Sequence, residues 1–435
     1  MKFYGLDGQQ WTNVIAAWSG WLMDGYVSIA YLLMASYLAV VFFPSSFTGS
    51  LIAVVLGLAV GSIARSIGSL VFGNFLGDKI GRRNMLMVTV VGFSVFSFAI
   101  GFLPTYTTAG YIAFGLLYML LFIIGLFGGA EYGGGTALYA ETVPAEKRGV
   151  IGAFVQSGFG TGFFVAAGVA AIIGSYYTTA QITSFAWRIM FYTTLIPGII
   201  ALVSRLGARE TPVFKEMVEK REIERTPIFK MIKEEPLPMI FAIFITTGLL
   251  YINSGTFSFY PILMGTGINN IPLVDSGLIL VVANLVSLIG VWLGGFISTR
   301  IPGRRLAMMI FSAIFIVSLY PLTFYGVSTD VTTLYVVFSI QAFLEAMIFS
   351  TLPSFLAEKF SKRYRSTGVG FTYNAGAIIG GFAPTFILLS RSSLGLLNGW
   401  FLNLVIANVV LILGLALSAE TWSKAKAGAR DIIHD

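Results

Sequence analysis

The stretch GDKIGRR, residues 77–83, follows a long apolar run, and a related stretch, STRIPGRR, follows another apolar run at residues 298–305. Both stretches end in a glycine and two arginines, and Arg304 lies 222 positions after Arg82. The second copy carries one extra residue and has Thr299 where the first has an aspartate. Two related loops at this spacing predict a chain built from two similar halves.

A second pair of loops supports the same repeat. The stretch AETVPAEKRG, which starts at residue 140, resembles AEKFSKRYRS, which starts at residue 357. Two independent pairs of loops at nearly one offset indicate an internal duplication, which is typical of secondary transporters with a central site between their halves. The residues aligned at an offset of 217 are Glu141 with Glu358 and Arg148 with Arg365.

The composition indicates a membrane protein. Of the 435 residues, 56% are hydrophobic and only 11% are charged, and the mean hydropathy is +0.84. Soluble domains carry roughly 25% charged residues. The chain has no cysteine, and its one histidine is His434, so metal centres and catalytic triads built on those residues are excluded within the membrane. We therefore expect no cofactor, no metal and no enzymatic activity.

Twelve apolar runs are long enough to cross a bilayer as helices. The sequence predicts an all-α membrane protein with twelve transmembrane helices in two pseudo-symmetric six-helix bundles. The predicted division is an N-terminal bundle at 1–206, a cytoplasmic connector at 207–236, a C-terminal bundle at 237–418 and a cytoplasmic tail at 419–435. The predicted spans lie at roughly 13–37, 50–76, 85–104, 111–139, 149–174, 187–206, 237–262, 275–298, 305–326, 332–357, 366–390 and 398–418.

Basic residues are concentrated on one side of these spans. With the N-terminus in the cytoplasm, 24 of the 27 Lys and Arg residues fall on the cytoplasmic side, and Arg205 is counted there with the connector. The exceptions are Arg65, Arg188 and Arg391. This asymmetry satisfies the positive-inside rule and predicts a multi-pass plasma-membrane protein with both termini in the cytoplasm. The net charge of +7 then reflects topology and contact with anionic lipids, not nucleic-acid binding.

The loop after the second span resembles the signature of the major facilitator superfamily. In that signature a glycine, a small residue and an aspartate precede a basic residue, a glycine and two basic residues. The resemblance covers essentially the whole chain and implies alternating access, with charge pairs and helix ends bracing the cytoplasmic side. The residues that it assigns to this gate are Gly73, Gly77, Asp78, Gly81, Arg82, Arg83, Glu141 and Arg148 in the first half and Arg304, Arg305, Glu358 and Arg365 in the second.

Within that superfamily the chain is most similar to the metabolite:proton symporters. The segments that carry this similarity are ARSIGSLVFGNFLGDKIGRR at 64–83, GGAEYGGGTALYAETVPAEKRG at 128–149 and YNAGAIIGGFAP at 373–384. The stretch WLMDGYV in the first span resembles the aromatic-acid:proton symporters, although Val27 stands where those have a second acid. The stretch YINSGTFSFYPILM, which starts at residue 251, loosely resembles sugar porters. Transport of a sugar is therefore the alternative prediction.

Four charged residues fall well inside the predicted spans: Asp24, Arg65, Glu131 and Glu345. At about 1.5 Å per residue, each lies roughly 15–20 Å from the end of its span, near the middle of a core about 30 Å thick. Charges at that depth face a cavity or one another. Because no histidine is available there, a desolvated carboxyl group has to carry the proton in a coupled transporter. We expect Asp24 and Glu131 to serve as proton carriers.

Two interpretations of Arg65 remain open at this point. It either pairs with Asp24 or Glu131 and ties spans together, or it binds a substrate carboxylate through two parallel hydrogen bonds. The amides of the spans likewise either bind substrate or only bond neighbouring helices. The sequence thus predicts a proton-coupled symporter of a small organic acid or zwitterionic metabolite, acting as a monomer. The predicted substrate-binding residues are Arg65, Gln156, Asn253, Asn374 and Glu345.

Overall fold

The computed structural model describes residues 3–44, 46–47, 49–76, 80–220, 227–265, 270–326, 330–361 and 363–421. Of the predicted gate residues, Gly77 and Asp78 lie outside the described residues, as does most of the predicted tail. Gly73 falls within a π-helical segment, Ser69–Leu76, that begins in the second span and continues past its end at Phe72.

Long apolar helices make up almost all of the described chain. Eleven of them are long and apolar enough to cross a membrane, and a pair bent by 58° forms a twelfth span, which confirms the predicted fold class. In chain order the spans are α1 (Gly8–Leu33 with Ala35–Phe42), α2 (Ser50–Phe72), α3 (Arg82–Phe102), α4 (Tyr111–Ala140), α5 (Ala145–Tyr176), α6 (Thr179–Gly207), α7 (Pro236–Met264), α8 (Leu273–Ser298), α9 (Arg304–Phe324), α10 (Val331–Lys359), α11 (Arg365–Leu394) and α12 (Leu396–Leu417).

The outward faces of these helices are apolar. Ile172, Ile196, Val203, Ile289 and Val317 are each more than half exposed, although all five lie in the interior of a span. Exposed aliphatic side chains are suited to contact with lipid chains. A helix is also stable in hydrocarbon, because its backbone N–H and C=O groups form their hydrogen bonds within the helix. The outer surface is therefore consistent with a bilayer.

The spans pack in two similar sets. In the first half α1 lies against α5 and α2 lies against α4, and in the second half α7 lies against α11 and α8 lies against α10. Glycines allow the closest approaches, since a side chain at Gly162 would overlap the backbone of Leu22, and one at Gly376 would overlap the backbone of Thr247. The halves meet where α5 packs on α8 and α2 packs on α11. The domain boundaries at 206, 236 and 418 remain predictions.

We call the end of the molecule at which α2, α4, α6, α8 and α10 end the basic face, because the loops there carry most of the Lys and Arg residues. Two short helices, Pro212–Glu219 and Pro227–Glu234, connect α6 to α7 there. The halves also touch between this face and the centre of the molecule. Ser354 of the second half donates to the carbonyl oxygen of Arg148 of the first half at 2.7 Å.

Candidate substrate and proton site

Two neighbouring cavities between the halves share part of their lining. The large cavity has a volume of about 150 Å³, and the small cavity has a volume of about 40 Å³. Phe159 of α5, Asn253 of α7 and Tyr373 of α11 line both cavities and so separate them. Pockets for drug-sized ligands occupy roughly 300 Å³ or more. The space between the halves therefore suits a small metabolite.

Arg65 of α2 and Asp24 of α1 form an ion pair on the wall of the large cavity. Nη1 of Arg65 donates to Oδ2 of Asp24 at 2.8 Å, and Nη2 pairs with Oδ1. The Asp24 side chain is 2% exposed, whereas that of Arg65 is 18% exposed. Of the two partners predicted for Arg65, Asp24 is the one that it holds. Because the guanidinium also borders the cavity, it can contact a ligand there.

Glu131 of α4 pairs with a different arginine. Nη1 of Arg205 donates to Oε1 of Glu131 at 3.0 Å, and Nη2 pairs with Oε2. Thr89 donates to Oε1 of the same carboxylate at 2.7 Å. Gly20 of α1 leaves room for the pair, since a side chain there would overlap Nη2 of Arg205.

The burial of Arg205 corrects the sequence interpretation. The sequence analysis counted it with the connector, whereas the structure places it in α6, two residues before that helix ends at Gly207, with 1% exposure. Its guanidinium neutralises Glu131 within the first half, and neither residue lines the large or the small cavity. The apolar residues around Arg205 do not reveal whether its side chain points towards the other helices or away from them. Sequence reasoning therefore missed Arg205 as the partner of Glu131.

Glu345 of α10 is a third buried carboxyl group, with a different environment. Nδ2 of Asn253 donates to its Oε1 at 2.9 Å, and the hydroxyl of Thr256 is in hydrogen-bond contact with its Oε2. The side chain is fully buried, and no lysine or arginine of the described residues lies within salt-bridge distance of it. Glu345 lies behind Asn253 and does not itself line either cavity.

On the basic face, Glu141 at the end of α4 connects both halves. Nη1 of Arg82 pairs with Oε1 of Glu141, and Thr211 donates to Oε2 at 2.6 Å. Nη1 of Arg365, from the second half, lies 3.8 Å from Oε1. Glu141 is thus a buried acid placed between an arginine of its own half and an arginine of the other.

The second copy of the gate repeats this arrangement around Glu358. Arg304 donates to Glu358 through Nε at 2.6 Å and through Nη2 at 2.7 Å, and Thr421 donates to Oε2 at 3.2 Å. The second charge pair therefore forms even though Thr299 stands where the first copy has an aspartate.

Arg148 and Arg365 also hold equivalent places. Nε of Arg148 donates to the carbonyl oxygen of Ala140 at 2.8 Å, and Nε of Arg365 donates to that of Ala357 at 3.0 Å. The sequence repeat is therefore also a repeat of contacts.

Each half also contains a glutamate on the basic face that sequence reasoning missed. Glu210 accepts a hydrogen bond from the backbone N–H of Arg83 at 3.2 Å, and Glu420 accepts one from that of Arg305 at 3.1 Å. These N–H groups belong to the first turns of α3 and α9, where they lack partners within the helix and favour a negative charge. Gly81, with φ of 88°, begins this turn in the first half. The available signal was a Glu-Thr pair after the sixth and the twelfth span.

The model of the Major Facilitator Superfamily matches residues 14–384. The chain belongs to the Major Facilitator Superfamily. Its members and the relatives of this chain are transporters and not enzymes, so the predicted family and the predicted absence of enzymatic activity are confirmed. This superfamily member is a multi-pass membrane transporter.

Similar proteins are bacterial transporters. The inner membrane metabolite transport protein YhjE of Escherichia coli is 30% identical over 336 residues, which cover 76% of this chain and 75% of YhjE. The proline/betaine transporter of Escherichia coli is 28% identical over 442 residues, which cover 99% of this chain and 87% of that protein. The ectoine/proline transporter ProP of Corynebacterium glutamicum is 29% identical and covers 86% of this chain and 77% of its own length.

The fold is that of solved members of the superfamily. The proton:xylose symporter XylE bound to 6-bromo-6-deoxy-D-glucose superposes with a TM-score of 0.77 at 18% sequence identity, covering 94% of both chains. The partially occluded inward-open form of XylE from Escherichia coli gives a TM-score of 0.73 at 17% identity. It covers 95% of this chain and 99% of XylE. At these identities the likeness concerns the fold alone.

In this transporter the small cavity is lined by three amides, Gln156, Asn253 and Asn284. Oε1 of Gln156 and Oδ1 of Asn284 are buried without a hydrogen-bond partner among the described residues. Buried acceptors without partners are costly, so these atoms favour a ligand or water in the small cavity. The predicted Gln156 and Asn253 thus border the site.

Asn374, in contrast, lies outside both cavities. Its Nδ2 donates to the carbonyl oxygens of Gly129 at 2.8 Å and Gly370 at 2.7 Å, and its own backbone carbonyl accepts from Ser66. These bonds join α11 to α2 and α4, so the structure places this amide in a contact between the halves.

Aromatic rings complete the central wall. The rings of Tyr132 and Tyr373 stack with centroids 3.6 Å apart, and Trp21 lies 4.8 Å from the first and 5.8 Å from the second. Nε1 of Trp21 and the hydroxyl of Tyr132 are buried without a partner among the described residues. Sequence reasoning missed Trp21 because aromatic residues make up 15% of the chain and nothing local distinguishes this one.

Proposed function

We propose that this transporter is a proton-coupled symporter of a small organic acid or zwitterionic metabolite. The observation that carries the proposal is the Asp24–Arg65 pair on the wall of the large cavity. Arg65 is a permanently charged group with a fork of donors that matches a carboxylate. A substrate carboxylate in the large cavity would lie within reach of this guanidinium.

Exchange of carboxylates at Arg65 would couple the substrate to a proton. When the substrate carboxylate occupies the guanidinium, Asp24 loses its counter-ion while it remains buried. A buried carboxyl group without a counter-ion is most stable in its uncharged form, so Asp24 takes up a proton. Loss of substrate re-forms the ion pair and releases that proton. Glu131, which Arg205 neutralises within the first half, acts in this scheme as a structural acid.

The relatives support a small charged or zwitterionic substrate. Proline, betaine and ectoine transporters are among the proteins similar to this chain, and each of those solutes carries a carboxylate that suits Arg65. Transport of a sugar is the second candidate. The three amides of the small cavity favour it, because neutral amide groups bind hydroxyl groups well.

The gate and the topology complete the proposal. Glu141 and Glu358 with their arginines would hold the basic face closed while the central site opens on the other side. The basic face would be cytoplasmic, with both termini there, in a monomer of the plasma membrane that contacts anionic lipids. The chain would divide at residues 206, 236 and 418 into two bundles, a connector and a tail.

Uptake by proteoliposomes under an imposed pH gradient tests this function. The panel would contain betaine, proline, keto acids, tricarboxylates, aromatic acids and sugars. We expect a carboxylate-bearing solute to accumulate, and dissipation of the gradient with a protonophore to abolish that accumulation. Uptake of sugars alone would overturn the proposal in favour of the second candidate. Uptake at the same rate with and without the pH gradient would overturn the coupling to protons.

A further inference from the structure

Asp24, Glu131 and Glu345 are carboxyl groups buried between the helices, and among the described residues only Glu345 lacks an arginine partner. Asp24 holds Arg65 and Glu131 holds Arg205, so both can be charged where they lie. Glu345 is fully buried with neutral partners. An isolated charge in such a place is expensive, and a carboxyl group avoids the cost by binding a proton.

The hydrogen bonds around Glu345 also accommodate that proton. A threonine hydroxyl can donate only one hydrogen bond. Oγ1 of Thr256 lies 2.8 Å from the carbonyl oxygen of Ile252, which can only accept, and it also contacts Oε2 of Glu345. If Thr256 donates to Ile252, the hydrogen of the second contact has to come from Glu345. Oε1 then accepts from Asn253, as expected of a neutral carboxyl group.

The described helices around this part of α10 bring no opposing charge. α7 is interrupted between two helical segments, Pro236–Gly255 and Tyr260–Met264. The last turn of the first segment supplies Asn253, the interruption supplies Thr256, and the second segment supplies Tyr260, a titratable neighbour. The Tyr260 hydroxyl donates to Gln341, one turn from Glu345 on α10, at 2.8 Å. On the α8 side the described groups near the small cavity are neutral amide and hydroxyl side chains.

Asn253 connects this carboxyl group to the substrate space. It lines both cavities and donates to Oε1 of Glu345. It also lies at the interruption of α7, and interrupted helices beside a central site are a recurrent feature of transporters that alternate access. A ligand that competes for the Asn253 amide would remove a bond that a charged Glu345 needs more than a neutral one does.

We propose that Glu345 binds and releases a second proton in the transport cycle, and that Asn253 links its protonation to occupancy of the central cavity. This inference rests on the proposed symport and adds to the proton carried by Asp24. On release, the O–H bond at Oε2 breaks and the proton passes to water. Thr256 then turns its hydroxyl from Ile252 to the carboxylate, which alters the interruption of α7. Opening of the halves at α7 exposes the group to water.

Infrared spectroscopy of the purified protein in membranes tests the protonation directly, whatever the substrate is. At neutral pH we expect a carbonyl stretching band of a protonated, buried carboxyl group. The band should disappear in Glu345→Gln and remain in the control variant Asp24→Asn. The introduced amide can accept from Asn253 and donate to Thr256, so we expect Glu345→Gln to fold. A band that survives Glu345→Gln, or its absence from the native protein, would overturn the inference.

Steady-state accumulation in vesicles at zero membrane potential tests the role in transport. For each coupled proton, a gradient of one pH unit supports about tenfold accumulation. We expect Glu345→Gln to lower the accumulation ratio by about tenfold per pH unit, and Glu345→Asp to restore part of it. An unchanged ratio in Glu345→Gln would overturn the second proton. If the native protein itself shows no pH-driven accumulation, the proposed symport fails, while the infrared band still decides whether Glu345 is protonated.

Discussion

At the basic face, Glu141 of the first half and Glu358 of the second each pair with an arginine and accept a hydrogen bond from a threonine. In the membrane the halves differ, because the first half holds two carboxyl–guanidinium pairs and the second holds Glu345 among neutral donors. In the proposed transport cycle both halves close the basic face, and the same contacts serve both. The proposed binding of a charged ligand and a proton is divided between the halves, and there their chemistry differs.

The largest effect expected from this contrast is on stability. Arg205→Leu leaves Glu131 buried without its cation and should reduce the free energy of unfolding by about 3–5 kcal/mol. Glu345→Gln should reduce it far less, because it removes no ion pair. Thermal unfolding of the detergent-solubilised variants measures the difference. The double variant Glu131→Gln with Arg205→Leu is the matched control and should recover most of the loss. Equal losses in Arg205→Leu and Glu345→Gln would contradict the contrast.

The next effect concerns the cavity-facing pair of the first half. Arg65→Lys keeps the charge but can replace only one of the two parallel hydrogen bonds to a carboxylate, so one charge-assisted bond of about 1.5–3 kcal/mol is lost. The KM for the anionic substrate should therefore rise by about tenfold to 100-fold.

Initial uptake rates in proteoliposomes give this KM. Arg188→Lys is the control, because Arg188 donates to the carbonyl oxygens of Gly101 and Leu103, each at 2.7 Å, and does not line the large cavity. If Arg65→Lys has the same KM as the native protein, Arg65 does not bind the substrate and only holds helices together.

A smaller effect should separate the two gate glutamates. Glu141 lies 3.8 Å from Arg365 of the other half, whereas Arg304 and Thr421, which contact Glu358, belong to its own half. Glu141→Gln should thus favour opening of the basic face by about fivefold, as expected for roughly 1 kcal/mol, and Glu358→Gln should favour it less.

Thiol labelling can follow this opening, because the chain has no cysteine and a single introduced thiol has no background. Ser354→Cys places the reporter at the contact between the halves. The labelling rate from the basic face is compared in Ser354→Cys alone and combined with each gate variant. Equal rates for the two combinations would mean that the contact between Glu141 and Arg365 does not hold the halves together.

The smallest effect should be the same in both halves. Glu210→Gln and Glu420→Gln each remove a charge from the first turn of a helix and should reduce the free energy of unfolding by about 1 kcal/mol. Glu216→Gln is the control, since its pair with Lys220 is exposed and such pairs contribute about 0.5 kcal/mol or less. If Glu210→Gln and Glu420→Gln lower the free energy of unfolding by different amounts, the equivalent contacts in the two halves do not contribute equally to stability.

The sequence predicted the gate better than it predicted the central site. The gate residues lie next to one another in short loops, so a repeated motif reveals them. The partners of the membrane acids lie far apart in the chain, as with Asp24 and Arg65 or Glu131 and Arg205. Pairing over such separations depends on how each helix is rotated about its axis, which hydropathy does not specify. The count of basic residues consequently placed Arg205 outside the membrane.

The sequence by itself determined the number of spans, the two-fold repeat and the family, because the length of apolar runs and a local loop motif are enough to define them. It also identified the acids at mid-depth, since a charge in an apolar run stands out. Only the tertiary structure decided that Arg65 holds Asp24, that Asn374 joins the halves and that Glu345 has no cation beside it among the described residues. Those outcomes depend on contacts between helices, and the energy of a buried charge is set by the groups within a few ångströms of it.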